Sequence, residues 1–271
     1  EYKKRKNILN DLLNNKIDIL IGTHSLFQER ISYFNLGLII IDEQHKFGVN
    51  QRKKLSDKGG KDCDVLVMSA TPIPRTMMMT IYGDMDISLI KSKPKNRKPI
   101  KTYSKNETKI NEVINFIKSE ILKRNQVFWV CPLIKESKKI DHQSATEKYK
   151  NLSKIFKDRV DIVHGAMSKE EKDKVLNKFN DREIDILVST TVIEVGIDFP
   201  NANVIVIENS NKYGLSQLHQ LRGRVGRGNK ESSCILMFKA GLSENARKRI
   251  TILKNTNDGF KIAEEDLKIR G

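Results

Sequence analysis

Apolar residues follow two spacings along this chain. Ile8, Leu9, Leu12 and Leu13 recur three to four apart on a polar background, which predicts a helix over 1–16. Three nearly unbroken apolar runs follow, at 17–22, 36–41 and 65–68. Runs of that length without alternation suit strands of a parallel sheet covered on both faces. Residues 75–90 are expected to be helix and turn. From about 107 onward the two spacings alternate. A stripe of Ile110, Val113, Ile114, Ile117 and Ile121 predicts a helix over 107–124. Strands are expected at 127–130, 161–163, 186–188, 204–207 and 234–238, and helices near 144–157, 168–180 and 215–225. Such alternation implies α/β architecture with a doubly wound parallel sheet. Residues 243–271 read as two short amphipathic helices broken at Asn257, Asp258 and Gly259, beyond that sheet.

Residues 91–101, KSKPKNRKPIK, carry two prolines, six basic side chains and no acid. That composition marks a linker. It serves as a solvated hinge or touches nucleic acid directly; the sequence does not separate the two. The expected division is a first domain at 1–90, the linker at 91–101, a second domain at 102–240 and a helical tail at 241–271. A hydrophobic content of 38% against 31% charged residues excludes a disordered chain. The apolar runs are too short to span a bilayer, so no membrane partner is expected. Three cysteines far apart, without a CxxC pair, point away from a disulfide framework or zinc cluster and towards a reducing cytoplasm. The formal charge, 50 − 34 = +16, favours a polyanionic partner. Lys outnumbers Arg 36 to 14 and Asn is abundant, so a biased coding sequence accounts for part of that charge.

Four segments carry chemistry. In LIIIDEQH, 38–45, a buried run ends in Asp42 and Glu43. Carboxylates just past a strand can hold Mg²⁺ and orient a water against a nucleotide phosphate, or simply cap a helix. Asp42 is assigned to the metal and Glu43 to the water. In MSATPIPR, 68–75, Ser69 and Thr71 follow another apolar run; a phosphate relay and a proline-set turn both fit. In QLRGRVGR, 220–227, Arg222, Arg224 and Arg227 alternate with glycines. Arg presents a planar, permanently charged fork to phosphate, and a Gly/Arg loop can grip either a nucleotide or a nucleic-acid backbone. In VSTTVIEVGIDFP, 188–200, Thr190 and Thr191 suit phosphate contacts, and Asp198, after Gly196, suits a sugar or the arginines. Thr23 and Ser25, and His164 with Gly165, follow apolar runs and offer small polar groups and backbone N–H to phosphates.

Together, in this order, DEQH, SATPIPR, TTVIEVGID and QLRGRVGR resemble superfamily 2 DNA helicases. TPIPRTMMMTIYGDMDIS, VFWVCPLIKES and QLHQLRGRVGRG narrow the resemblance to the branch-migrating RecG family. DGFKIAEEDLKIRG resembles the translocation motif that family shares with transcription-repair coupling factors, which stay as the alternative. A DNA-binding remnant without catalysis is a second alternative. The resemblance implies two RecA-like domains, the first truncated at its N-terminus, and a helical tail. It implies ATP and Mg²⁺ as cofactors and branched DNA as partner, with the protein monomeric on replication forks and Holliday junctions and associated with the bacterial nucleoid. It makes Asp42, Glu43, Arg224 and Arg227 catalytic, with ATP bridging the carboxylate lobe and the arginine lobe. Gln44, His45, Ser69, Thr71, Gly196, Asp198 and Gln220 couple to ATP. Thr23, Ser25, His164, Gly165, Thr190 and Thr191 track DNA, and Arg270 couples hydrolysis to translocation. The family's phosphate loop, GxxxxGK[ST], does not occur in the 271 residues. The chain, opening on Glu1, is therefore expected to be a piece of a longer enzyme and inactive by itself.

Overall fold

Apolar runs become strands here only where a neighbouring strand is present to take their hydrogen bonds. The structure is a computed structural model that describes residues 2–28, 31–43, 63–69, 86–90, 92, 94, 97–132, 138–190 and 199–270. The chain divides into two compact units, Glu1–Pro72 and Ile73–Gly271.

In the first unit, helix α1 (Tyr2–Leu13) is followed by strands β1 (Leu38–Ile41) and β2 (Asp64–Val67). The two strands pair in parallel, with Ile41 opposite Val67. Ile39 and Ile41 are buried on one face against Leu36, Cys63 and Val65. The run at 17–22, expected as a strand, is not one. Ile19 and Ile21 stand 79% and 89% exposed, and among the described residues no strand pairs with them. An extended segment without a ladder partner keeps its composition but loses its structure. Most of 75–90 lies outside the described residues; 86–90 is neither helix nor strand.

The second unit carries a parallel sheet of six strands among its described residues. They are β3 (Ile100–Asn106), β4 (Gln126–Cys131), β5 (Val160–Val163), β6 (Ile186–Thr190), β7 (Ala202–Ile207) and β8 (Ser232–Phe238), in spatial order β3-β8-β7-β4-β6-β5. Helices α2 (Ile110–Leu122), α3 (Lys138–Phe156), α4 (Lys169–Asn180) and α5 (Leu215–Arg222) connect them. A capping box starts α4: Ser168 Oγ accepts from the Glu171 amide at 3.2 Å, and the Ser168 amide donates to Glu171 Oε2 at 2.7 Å.

Strands β4 and β7 are buried at every residue, which explains their unbroken apolar sequence. Successive side chains alternate between faces. Val127 and Trp129 join Val113 and Ile117 in one core, while Phe128 and Val130 join Phe179 and Leu187 in the other. Strand β3 was not foreseen: only Thr102 of its polar IKTYSKN sequence is buried, as an edge position allows, and it overlaps the end of the basic linker. Helices α6 (Glu244–Asn255) and α7 (Gly259–Arg270) form the tail. Ile250, Leu253 and Ile262 enter the same core as Leu215 and Leu218, so these helices complete one face of the second unit.

Three phenylalanines anchor that core. The Phe179 ring lies 5.2 Å from both Phe128 and Phe199, the second at 68°. Phe179→Ala removes a fully buried ring and both ring pairs. It is expected to destabilise the second unit by about 3–5 kcal/mol, measured as a fall in the denaturant midpoint. A loss below about 1 kcal/mol would show that the cluster relaxes around the cavity.

Candidate nucleotide and nucleic-acid sites

In the first unit, β1 aims its carboxyl end at Asp42 and Glu43. The Glu43 amide donates to Asp42 Oδ1 at 2.9 Å. Glu43 has φ +51°, in the left-handed region that a non-glycine residue rarely adopts. Such strain persists where surrounding structure imposes it, commonly at functional sites. The amide of Met68 donates to Ile41 O at 2.8 Å, continuing the β1–β2 ladder. Ser69 therefore leaves the sheet beside Asp42, at the carboxyl ends of adjacent parallel strands. Thr23 precedes a 3₁₀ turn, His24–Phe27, and Thr23 is exposed while Ser25 is half-buried. Gln44, His45 and Thr71 lie outside the described residues.

Among the described residues no group of three His, Cys, Asp or Glu side chains could hold a metal ion by itself. That is compatible with Mg²⁺, which commonly takes one or two carboxylates, several waters and the phosphates of its nucleotide. Asp42 is exposed at its strand end, with Oδ1 engaged by the next amide, and fits that minimal demand.

In the second unit the candidate residues occupy opposite edges of one sheet. Val163 and Ser189 are register partners, so His164 and Thr190 are the next pair at the carboxyl edge. Thr190 is 7% exposed. Gly165 has open space where a side chain would stand. Helix α5 carries the chain back to the amino edge. There the loop after it holds Arg224, half-buried, and Arg227, exposed, with Gln220 exposed in the last helical turn. Gly226 has φ +73°, and a methyl group there would come within 3.1 Å of Ile100 at the start of β3. Gly228 lies so close to Pro200, just ahead of β7, that a methyl group would come within 2.9 Å of its carbonyl oxygen. The chain leaves the sheet at Thr190 on one edge and re-enters after Phe199 on the other. Thr191, Gly196 and Asp198 fall between, outside the described residues.

Several contacts at the site were not foreseen from sequence, and Arg222, grouped there with the phosphate-gripping arginines, is placed differently. Arg97, in the basic linker, donates through Nε to Gly226 O at 3.1 Å, so the linker braces the arginine loop. Arg222 is 2% exposed and contacts the tail rather than solvent. Its spacing from Leu215 and Leu218, seven and four residues, places it on the buried face of α5, which was the available signal. Arg249 of α6 donates to the carbonyls of Tyr213 at 2.9 Å and Asn211 at 3.3 Å. At the carboxyl ends of β4 and β7, Lys148 pairs with Glu208 at 2.6 Å and stands 5.3 Å over Trp129. Burial, reinforced by Glu208, pushes the Cys131 thiol well above its usual range, so it stays protonated at neutral pH.

The carboxylate pair past β1 and, in the second unit, the glycine-spaced arginine loop past α5 are each chemically suited to phosphate, the first through a metal and the second directly. The DEAD/DEAH box helicase family matches residues 1–80, and the helicase conserved C-terminal domain matches residues 108–229. ATP-dependent DNA helicase RecG of Bacillus subtilis is 48% identical over 271 residues, covering 99% of this chain and 39% of that protein. RecG of Thermotoga maritima is 51% identical over 270 residues, covering 99% of this chain and 34% of that protein. A solved RecG bound to a three-way DNA junction superposes with TM-score 0.75 at 47% identity, over 98% of this chain and 34% of that one. Mss116p bound to single-stranded RNA and AMP-PNP, 18% identical with TM-score 0.65, shares the fold over 99% of this chain and 58% of its own. The chain belongs to the superfamily 2 helicases, in their RecG branch. It spans between a third and two fifths of the length of the RecG relatives above. Its sheets are those of RecA-like helicase domains.

Proposed function

We propose that this chain is the motor portion of an ATP-dependent DNA translocase that remodels branched DNA, stalled forks and Holliday junctions, in repair and recombination. The observation that carries the reading is the match over 98% of the chain to a RecG bound to a three-way junction. The relatives speak for RecG over the transcription-repair coupling factor.

Asp42 holds the Mg²⁺ that neutralises phosphate charge, and Glu43 orients the attacking water. Arg224 and Arg227 stabilise the charge that develops on the phosphoryl group. Gln44, His45 and Gln220 link the carboxylates to the arginines, while Ser69, Thr71, Gly196 and Asp198 pass the change towards DNA. Thr23, Ser25, His164, Gly165, Thr190 and Thr191 contact the backbone of the tracked strand, a kind of contact that carries little sequence information. Residues 1–90 and 102–240 act as the two motor domains, joined by 91–101, and 241–271 couples hydrolysis to movement through Arg270. The enzyme works as a monomer in the bacterial cytoplasm; no helix among the described residues is long and apolar enough to cross a membrane.

The reading is tested by measuring ATP turnover and fork unwinding by the full-length protein on forked and linear duplexes. Turnover stimulated by forks above linear DNA supports it; a protein indifferent to DNA sinks it. Binding by the 271-residue chain alone should be weak and indifferent to sequence. Contacts to roughly four phosphates should weaken it about a hundred-fold between 50 and 200 mM salt. A titration that barely shifts with salt would refute phosphate-led binding.

A further inference from the structure

Arg222, the last residue of α5, is a buried cation. A guanidinium does not shed its proton in a protein, so its burial is strongly unfavourable unless acceptors replace water. Here the acceptors come mainly from backbone. Nη1 donates to Leu253 O at 2.7 Å and Thr256 O at 2.9 Å, with Thr102 Oγ1 at 3.4 Å. Nη2 lies 3.0 Å from His219 Nδ1, which accepts in the tautomer protonated at Nε2. None of these four partners is a carboxylate. Leu253 lies in the last turn of α6 and Thr256 is its C-cap. Carbonyls there lack donors within their own helix and carry the negative end of its dipole. Arg222 thus caps α6 from another helix.

The grip is repeated at the other end of α5, where Ser216 Oγ donates to the buried Asp266 of α7 at 2.6 Å. The arginine loop begins one residue after Arg222. Its first turn is tied down by Arg224 N to Leu221 O, 3.0 Å, and Val225 N to Arg222 O, 3.3 Å. Any displacement of that loop pulls on a side chain whose fork holds the carboxyl end of α6.

We propose that Arg222 is a positioning residue that carries movement of the arginine loop into the break between α6 and α7, at 256–258. The proposal rests on the reading of Arg224 and Arg227 as phosphate-binding groups and goes beyond it by naming the side chain through which the tail follows them. A planar fork reaches both carbonyls from position 222; a Lys, as a point charge, holds them less well.

The test compares full-length wild type, Arg222→Met and Arg222→Lys on forked DNA. Amide hydrogen exchange over 253–262 is followed with and without AMP-PNP and Mg²⁺. In wild type, nucleotide should change exchange in this segment by about three-fold or more; in Arg222→Met that response should vanish although nucleotide still binds. The DNA-stimulated kcat of Arg222→Met should fall about ten-fold at a KM for ATP within about three-fold of normal, and Arg222→Lys should recover part of both. A general loss of packing would instead raise exchange throughout the unit and would not spare KM. A folded Arg222→Met whose segment still responds to nucleotide as wild type does overturns the proposal. If Arg222→Met does not fold, Arg222→Lys decides: a weakened response supports it and an unchanged one overturns it. A wild-type protein that binds no nucleotide sinks the functional reading instead. The cap itself is then judged by nucleotide-free exchange, which should be faster over 253–262 in the variants than in wild type.

Discussion

Replacing Glu43 with Gln should all but abolish DNA-stimulated ATP hydrolysis in the full-length helicase and leave nucleotide binding nearly intact. The side chain keeps its length and shape, so the backbone at φ +51° has no new reason to relax. The Asp42 carboxylate keeps its contact with the amide of residue 43. Only the charge proposed to orient the water is removed. Loss of a general base commonly costs 10²–10⁴-fold in rate, so kcat should fall about a thousand-fold, roughly 4 kcal/mol of barrier. The Kd for ATP should move by less than about three-fold, because Asp42, the proposed metal ligand, remains. Asp42→Asn, by contrast, should weaken both Mg²⁺-dependent binding and turnover. The two variants are compared by single-turnover hydrolysis and by equilibrium binding of a fluorescent ATP analogue. Turnover of Glu43→Gln within ten-fold of wild type would take Glu43 out of its role.

How far the molecule could be foreseen depends on what each residue's pattern leaves open. The unbroken apolar runs at 127–130 and 204–207 are unambiguous because both faces of β4 and β7 are covered. The run at 17–22 has the same composition and fails, since composition does not say whether a neighbouring strand exists to pair with it. Strand β3 errs in the opposite direction: its lysines and serine look like linker, yet an edge strand needs only the one buried position that Thr102 supplies. The candidate site residues were picked out through motif order, which names residues but does not say where they stand. That His164 and Thr190 occupy one edge of the sheet and Arg224 and Arg227 the other follows from topology, because α5 runs back against its strands before the loop begins. Arg222 was read with Arg224 and Arg227 as a grip on phosphate, because an arginine among arginines reads that way, although its spacing from Leu215 and Leu218 already put it on the inner face.

Arg227→Ala should produce a defect of similar size by a different route. Arg227 is exposed at the end of a loop whose preceding residue, Gly226, is held against Ile100 and accepts from Arg97 at 3.1 Å. These contacts hold the loop at Gly226, so truncation of Arg227 should leave the second unit folded, as thermal melting checks. What is lost is the permanent positive charge proposed to act in the reacting state. Arginine fingers contribute about 10³–10⁵-fold to phosphoryl transfer, so kcat should fall at least about a thousand-fold while the KM for ATP rises only modestly. Arg227→Lys should recover little, because an ammonium cannot reproduce the planar, two-pronged contact with phosphate oxygens. DNA binding without nucleotide should remain within about two-fold of normal with an unchanged salt dependence, since loss of a DNA phosphate contact would instead flatten that dependence by nearly one unit of slope. Rates, thermal melting and salt-dependent binding on one forked substrate separate the roles. A variant that keeps its turnover but binds forked DNA more weakly, with a shallower salt slope, would move Arg227 from the nucleotide to the nucleic acid.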